Sequence, residues 1–364
     1  MNTFNRKQLL RAAQQAASIA PKNTPKAALK GVLLKANNAT MTVNGTDLEN
    51  QVTIGVDGSG RGFEALPDAG KFVSLLTEMT DDEVTLSKEK STLYVKSAFS
   101  EFDLIDCDSP ESFPLKINPD VDTFLIDSGL LIQSLKRVAP AIASDSARYA
   151  LTGVKFELDE ERIHFVATDG RRLAVESIDC PTVTKSTHTY VVPAKIIKLM
   201  LSGCTGETQI GFDPNTVYVS SGDMHLSGRL VEGRYPTWRE ALPKRIDYVL
   251  PLTVGTLLNV TRQARVMLTD ETRAVEYTFD KELLTAKSCD PVAGKATVKL
   301  PIAYNGPKFS TPLDGDFICE MLSVWPKDSE LQIGCVKNNT VVQFSSGEES
   351  KHLIVPITRN GDKK

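Results

Sequence analysis

The sequence predicts an α+β fold of three tandem similar domains, and three observations predict it. A long internal repeat comes first. Gly31-Val-Leu-Leu leads to Thr46-Asp47, Gly153-Val-Lys-Phe to Thr168-Asp169, and Ala274-Val-Glu-Tyr to Cys289-Asp290, always fifteen residues later. Second, further landmarks recur in one order: Leu66-Pro67, Val192-Pro193 and Leu300-Pro301; Glu83-Val-Thr-Leu, Glu207-Thr-Gln-Ile and Glu330-Leu-Gln-Ile; Thr92-Leu-Tyr-Val, Thr216-Val-Tyr-Val and Thr340-Val-Val-Gln. Third, each copy mixes helical with strand periodicity, giving antiparallel strands with two helices. The offsets of 122 and 121 residues are domain-sized, well beyond a solenoid unit. Domains are expected over 1–119, 120–245 and 246–364, with linkers near Asn118-Pro119-Asp120 and Pro243-Lys244-Arg245.

Each copy opens with a helix. In the first, Leu9, Leu10, Ala13, Ala16 and Ala17 form an apolar stripe, with Lys7, Arg11, Gln14, Gln15 and Ser18 opposite. In the second, Leu131, Leu135, Val138 and Ala139 form the stripe; Gln133, Ser134, Lys136 and Arg137 face away, and Pro140 ends or bends the helix. Strands come next. Val154-Lys-Phe-Glu-Leu alternates as a half-buried strand does, Asp159-Glu160 turns the chain, and Asp169-Gly170 marks a tight turn where glycine supplies positive φ. A second helix is expected over Pro67–Met79 and Pro193–Leu201, with proline near its start. In copy three, Tyr304 to Asp316 is rich in Gly and Pro and reads as a loop inserted before, or replacing part of, that helix.

The charge is informative only in its distribution. With 42 Lys+Arg against 46 Asp+Glu the net charge is −4, which taken whole disfavours nucleic acid. Four predicted helices, 5–18, 129–142, 193–202 and 253–266, nevertheless carry Arg6, Lys7, Arg11, Lys136, Arg137, Lys195, Lys198, Arg262 and Arg265 and no carboxylate. A basic face repeated in every copy points to a polyanion, since affinity for DNA comes mainly from neutralising phosphates; the plainer reading is a solvated helix face. No recognition helix, zinc-finger spacing or aromatic run is present, so the contact is expected to be sequence-neutral. The six cysteines form no CxxC pair and read as reduced thiols; the four histidines lack metal-ligand spacing. No cofactor and no membrane span are expected, and the location is read as cytoplasmic. The acid-free N-terminus lacks a continuous apolar core and a cleavage site, and reads as the first helix rather than a transit peptide.

Three segments carry a resemblance: Phe165-Val-Ala-Thr-Asp-Gly-Arg-Arg-Leu-Ala174, Ser146-Ala-Arg-Tyr-Ala-Leu-Thr-Gly153 before it, and Gly233-Arg-Tyr-Pro-Thr-Trp-Arg-Glu-Ala-Leu-Pro243 after it. With the threefold repeat and the ending Val355-Pro356-Ile357, the chain resembles the bacterial sliding clamps, the β subunits of DNA polymerase III. The resemblance implies a head-to-tail homodimer closing six domains around duplex DNA, with helices lining the hole. It implies an interface of Phe102 and Leu104 against Val266 and Met267, for which ordinary core packing is the alternative. It adds Lys22, Lys26, Arg148 and Tyr149 to the DNA-facing set of Lys7, Arg11, Lys136, Arg137, Lys195, Lys198, Arg262 and Arg265. It also implies a groove for short linear peptides of the replicative polymerase, clamp loader and repair proteins, lined by Leu151, Thr168, Gly170, Arg171, Arg172, Leu173, Pro236, Leu353, Val355 and Pro356. Arg171, Ala150, Glu240 and Ala241 depart from the family's common residues, and the chain runs on as Arg359-Asn-Gly-Asp-Lys-Lys364; these changes bear on which peptides fit.

Two other readings compete. An enzyme would pair Asp169 with His164 or Arg171 as acid and base, but His164 and Asp169 are five residues apart along a strand and its turn, and no nucleophile accompanies them. A tandem interaction scaffold that does not bind DNA leaves the acid-free helices unexplained.

Overall fold

The computed structural model describes residues 2–116, 121–144, 146–159, 161–181, 187–336 and 340–357. The expected linker Asn118-Pro119-Asp120, Glu160 of the expected turn and the tail Arg359–Lys364 lie outside the described residues.

The three copies share one element order: a strand, a helix, a three-strand meander with a fourth strand that returns beside its first, a helix and three closing strands. Copy one holds β1 (Asn2–Asn5), α1 (Arg6–Ile19), β2 (Leu33–Ala36), β3 (Thr40–Thr46), β4 (Asn50–Ser59), β5 (Phe63–Ala65), α2 (Ala69–Glu78), β6 (Glu83–Glu89), β7 (Thr92–Lys96) and β8 (Glu101–Ile105). Copy two holds β9 (Thr123–Asp127), α3 (Ser128–Val138), β10 (Gly153–Leu158), β11 (Arg162–Thr168), β12 (Arg172–Asp179), β13 (His188–Pro193), α4 (Ala194–Gly203), β14 (Glu207–Phe212), β15 (Thr216–Ser221) and β16 (Met224–Arg229). After a short helix, α5 (Trp238–Ala241), copy three holds β17 (Tyr248–Thr253), α6 (Val254–Arg265), β18 (Ala274–Asp280), β19 (Leu283–Asp290), β20 (Gly294–Pro301), β21 (Phe309–Asp314), α7 (Gly315–Ser323), β22 (Glu330–Cys335), β23 (Val342–Ser346) and β24 (Ser350–Ile354).

The chain divides into two compact units that do not follow the repeat: Met1–Ile132 with Val192–Leu230, and Gln133–Val191 with Val231–Lys364. In the first, a sheet runs β8-β7-β6-β1-β4-β16-β15-β14-β9, with β2, β3 and β5 joined to it through β4. Helix α1 starts at Asn5, whose side chain accepts the Gln8 N–H at 3.1 Å. It buries Leu9, Ala12, Ala13, Ala16 and Ile19. Its alanines let a strand come close: a Cβ on Gly45 would lie 2.2 Å from the Ala16 carbonyl oxygen. Gln15, expected on the polar face, is instead 8% exposed and donates to the Ser202 carbonyl at 3.1 Å, so its amide is satisfied where it is buried.

In the second unit one sheet runs β13-β10-β11-β12-β24-β23-β22-β17 and another β20-β19-β18-β21. One core of it packs Leu257, Tyr277, Phe279, Ile318, Leu331 and Phe344. Helix α3 ends at Val138, and Ala139–Ala141 tightens to a 3-10 turn around Pro140. Ser134, expected to face away, is buried. The expected irregularity at 304–316 is also corrected. It contains β21, paired with β18 from Ala274↔Asp314 to Phe279↔Phe309, and then α7, capped by Asp314 through the N–H groups of Asp316 and Phe317. Pro312 does not break the strand, because β21 is an edge strand, where a missing N–H costs no ladder bond on the outer side. The landmark Leu300-Pro301 ends β20, and the true counterpart of Leu66-Pro67 is Leu313-Asp314.

One pattern crosses the copies. The third meander strand of copy one, β4, pairs with the last strand of copy two, β16, from Asn50↔Gly228 to Ile54↔Met224. The third meander strand of copy two, β12, pairs with the last strand of copy three, β24, from Arg172↔Ile354 to Glu176↔Ser350. The two remaining strands of these kinds are β20, paired only with β19, and β8, paired only with β7, among the described residues.

Candidate partner groove and basic helices

The groove is built on the β11–β12 turn. Gly170 has φ +88°, a backbone state glycine adopts without strain. Thr168 Oγ1 donates to the Arg172 carbonyl at 2.6 Å and accepts the Gly170 N–H at 3.1 Å. One Asp169 carboxylate oxygen accepts the N–H groups of Arg171 and Arg172 at 2.9 and 3.0 Å. The other accepts Arg172 Nε at 3.0 Å, and the same guanidinium donates to Glu320 at 2.6 Å and lies 4.1 Å over the Phe317 ring. Arg172, expected at the rim, is thus a strut between the turn and α7. Arg171 remains exposed. Arg148 reaches the same turn, its Nη1 lying 3.2 Å from where a Cβ on Gly170 would be.

Leu173 lies opposite Leu353 across β12 and β24. The two form an apolar cluster with Val166, Val175 and Trp238, edged by Tyr235, Leu242 and Val341. Pro236 and Val355 are exposed, Pro356 is half-buried and Leu151 is buried. Gly170, Arg171, Val355 and Pro356 edge an open cleft of about 880 Å³ that also takes in Phe317, Arg273 and Lys287; Leu151, Thr168, Arg172, Leu173, Pro236 and Leu353 do not line it. Trp238 is positioned by charge: its Nε1 donates to Glu157 at 3.2 Å, Lys155 donates to the same carboxylate at 2.7 Å, and Arg239 pairs with it. Burial opposes ionisation of Glu157, but these donors prevail and hold its pKa down to about 2. Sequence reasoning missed Val166, Val175, Tyr235, Trp238 and Phe317 as parts of the site. Val166, Tyr235 and Trp238 lie within the segments that carry the resemblance; Phe317 lies on α7, whose start the Gly and Pro residues before it disguise.

The basic residues separate into two groups. Lys22, Lys26, Lys136, Lys198, Arg148 and Arg262 are exposed, as is Tyr149. Others are partly committed: Lys7 pairs with Asp82 at 3.2 Å, Arg11 donates to the Ser202 carbonyl at 2.8 Å, Arg265 pairs with Asp316, and Lys195 donates to Asp47 at 2.5 Å and to the Ile19 carbonyl. Arg137 departs from the expected outward position. It turns onto the buried carboxylate of Glu176 at 3.1 Å and lies 5.6 Å over Trp325, because a buried carboxylate is stable only with a partner. The acid-free helices therefore receive counter-charges from neighbouring elements.

Phe102 and Leu104 lie on the face of β8 that continues Val95 and Leu93 of β7. Phe102 is 37% and Val266 73% exposed; Val266 caps α6, and Met267 Sδ lies 4.0 Å from a Cβ built on Gly294. Phe99, Ile105 and Val292 are also exposed. The enzyme constellation does not assemble: His164 bonds Ser177 at 2.7 Å and approaches Asp159, while Asp169 is occupied by its turn. Among the described residues no cluster of His, Cys, Asp or Glu could hold a metal ion, and no helix is long and apolar enough to cross a membrane.

A threefold α+β repeat, with the β11–β12 turn of the middle copy set against β24 and α7 of the last, defines a clamp-type protein. Residues 2–116 match the family model of the DNA polymerase III beta subunit, N-terminal domain, and residues 125–237 that of its central domain. Together these cover more than half of the chain, which belongs to the DNA polymerase III beta-subunit family: it is a non-catalytic sliding clamp of DNA replication. It is 23% identical over 362 residues to the beta sliding clamp of Pseudomonas aeruginosa, covering 98% of this chain and 99% of the relative. It is 24% identical over 369 residues to that of Escherichia coli K12, with the same coverage. Among solved structures it resembles the Pseudomonas aeruginosa clamp bound to griselimycin (TM-score 0.89, 22% identity) and the Thermotoga maritima beta subunit (TM-score 0.88, 18% identity), each over 99% of this chain and 100% of the other.

Proposed function

We propose that two copies of the chain close head to tail into a ring around duplex DNA in the cytoplasm. The observation that carries this reading is the strand pattern: twice the third meander strand of one copy is covered by the last strand of the next, and β20 and β8 are the strands left to meet across chains. An uncovered edge invites pairing, and a heterologous contact that closes makes a ring. Phe102 and Leu104 would then cover Val266 and Met267, with domain boundaries near 119 and 245. Lys22, Lys26, Lys136, Lys198, Arg148, Tyr149 and Arg262, with Lys7, Arg11, Lys195 and Arg265, would supply a diffuse positive field that holds DNA without reading it. The groove of Leu151, Thr168, Gly170, Arg171, Leu173, Pro236, Leu353, Val355 and Pro356 would take short peptides of the replicative polymerase, clamp loader and repair proteins, apolar anchors entering beside Leu173 and Leu353. Retention on DNA tests the ring. Loaded protein should stay on circular duplex and leave once it is linearised; equal retention on both would exclude encirclement.

A further inference from the structure

The two uncovered edges carry opposite charge. On β8 one face shows Glu101 and Asp103, both exposed. Asp103 has no ion pair among the described residues; Glu101 shares Lys96 of β7 at 2.5 Å. On β20 the corresponding face shows Lys295 and Lys299, both exposed and without an ion pair among the described residues. Thr297 lies between them, with Lys287 and Glu276 behind it on β19 and β18.

The two seams already made fix how these edges would meet. In the first, Asn50 opposes Gly228; in the second, Arg172 opposes Ile354. Gly228, Ile354 and Leu104 hold equivalent places, each opposite a buried residue of the preceding strand: Val217, Val342 and Leu93. Gly294, opposite Asp290 at its hairpin, holds the place of Asn50 and Arg172. Carried over, the register sets Leu104 opposite Gly294, Asp103 opposite Lys295, Phe102 opposite Ala296 and Glu101 opposite Thr297, flanked by Lys295 and Lys299. Phe102, Leu104 and Ala296 then share one face and the charges the other, where Ile105 ends β8 beside Asp103.

We propose that Glu101 and Asp103 of one copy pair with Lys295 and Lys299 of a second copy, and that this polarity selects the head-to-tail contact over β8 meeting β8 or β20 meeting β20. Like charges directly opposite in a ladder repel, so each edge rejects its own kind and accepts the other. The inference rests on the ring reading, but it concerns which residues select the contact.

The test is charge reversal read by sedimentation over a concentration series, with circular dichroism to confirm folding. The Glu101→Lys/Asp103→Lys and Lys295→Glu/Lys299→Glu variants should each dissociate at least about tenfold more readily than the parent. Mixed in equal amounts they should dimerise again, because both contacts of the mixed ring regain opposite charges. The milder Asp103→Asn and Lys295→Gln variants should weaken the dimer less, and the parent dimer should loosen as salt is raised. Reversed variants as tight as the parent would overturn this inference and leave the ring intact, and so would weakened variants that fail to recover on mixing. A parent that stays monomeric at every concentration would overturn the ring reading itself.

Discussion

The turn at 46–50 and the turn at 168–172 are wired alike and used differently. In both, a threonine hydroxyl donates to the carbonyl four residues on, at 2.8 and 2.6 Å, and accepts the N–H two residues on, at 3.1 Å in each. In both, an aspartate accepts the N–H three residues on. The first turn is sealed. Asp47 takes Lys195, and Gln51, in the place of Leu173, bonds the backbone of Lys116 in both directions at 2.9 and 2.8 Å. The second turn is open: Leu173 joins an apolar cluster, Arg171 stays exposed, and Arg172 braces α7. The motif Thr-Asp is thus scaffold in both copies, and the two turns part at the residues directly after it.

The largest effect should come from closing the open turn. Leu173→Glu with Pro236→Glu is expected to weaken binding of a polymerase-tail peptide by about a hundredfold or more, with the dimer unchanged; unaltered affinity would remove these residues from the groove. Next is the strut. Arg172→Ala breaks two ion pairs and a stack on Phe317, and should lower urea stability of the second compact unit by about 2 kcal/mol; a change near zero would mean the turn holds itself. Smaller still is an exchange of backbone preference. Leu48 occupies the place of Gly170 at φ +81°, so Leu48→Gly should stabilise, and Gly170→Ala destabilise, by about 1 kcal/mol each; equal signs in thermal melts would contradict the shared geometry.

The smallest effect is one of pH. The Glu157 pKa is held at about 2, below its ordinary 4.5, so its contribution is present above about 4.5 and is lost as pH falls toward 2. Peptide affinity should decline over that acid range, and Glu157→Gln should flatten the decline; an identical slope in both proteins would detach Trp238 positioning from Glu157.

The threefold α+β organisation was legible because period-2 and period-3.6 patterns recur with landmark residues at fixed offsets. The Thr168–Leu173 turn was legible because Asp-Gly in that setting permits few conformations. What stayed hidden depends on tertiary partners. Gln15 reads as polar until Ser202 appears beside it, and Arg137 reads as a free cation until Glu176 does. Pro312 in β21 looks like a strand breaker because a sequence does not tell an edge from a centre. The strand seams were invisible for the same reason: which strand lies beside β4 is decided more than a hundred residues downstream.

That last feature reaches into how the chain is made. Strand β4 takes its neighbour β16 from residues 224–229, and the first compact unit draws on Val192–Leu230 while leaving out Gln133–Val191. Emerging from a ribosome, the N-terminal copy is complete in sequence long before it is complete in structure. It must wait with β4 uncovered while roughly a hundred further residues are added, at about 5–20 residues per second. The nascent chain therefore has a window of several seconds in which that edge is exposed to intruding strands, and a chain ended before residue 224 would lack β16 altogether.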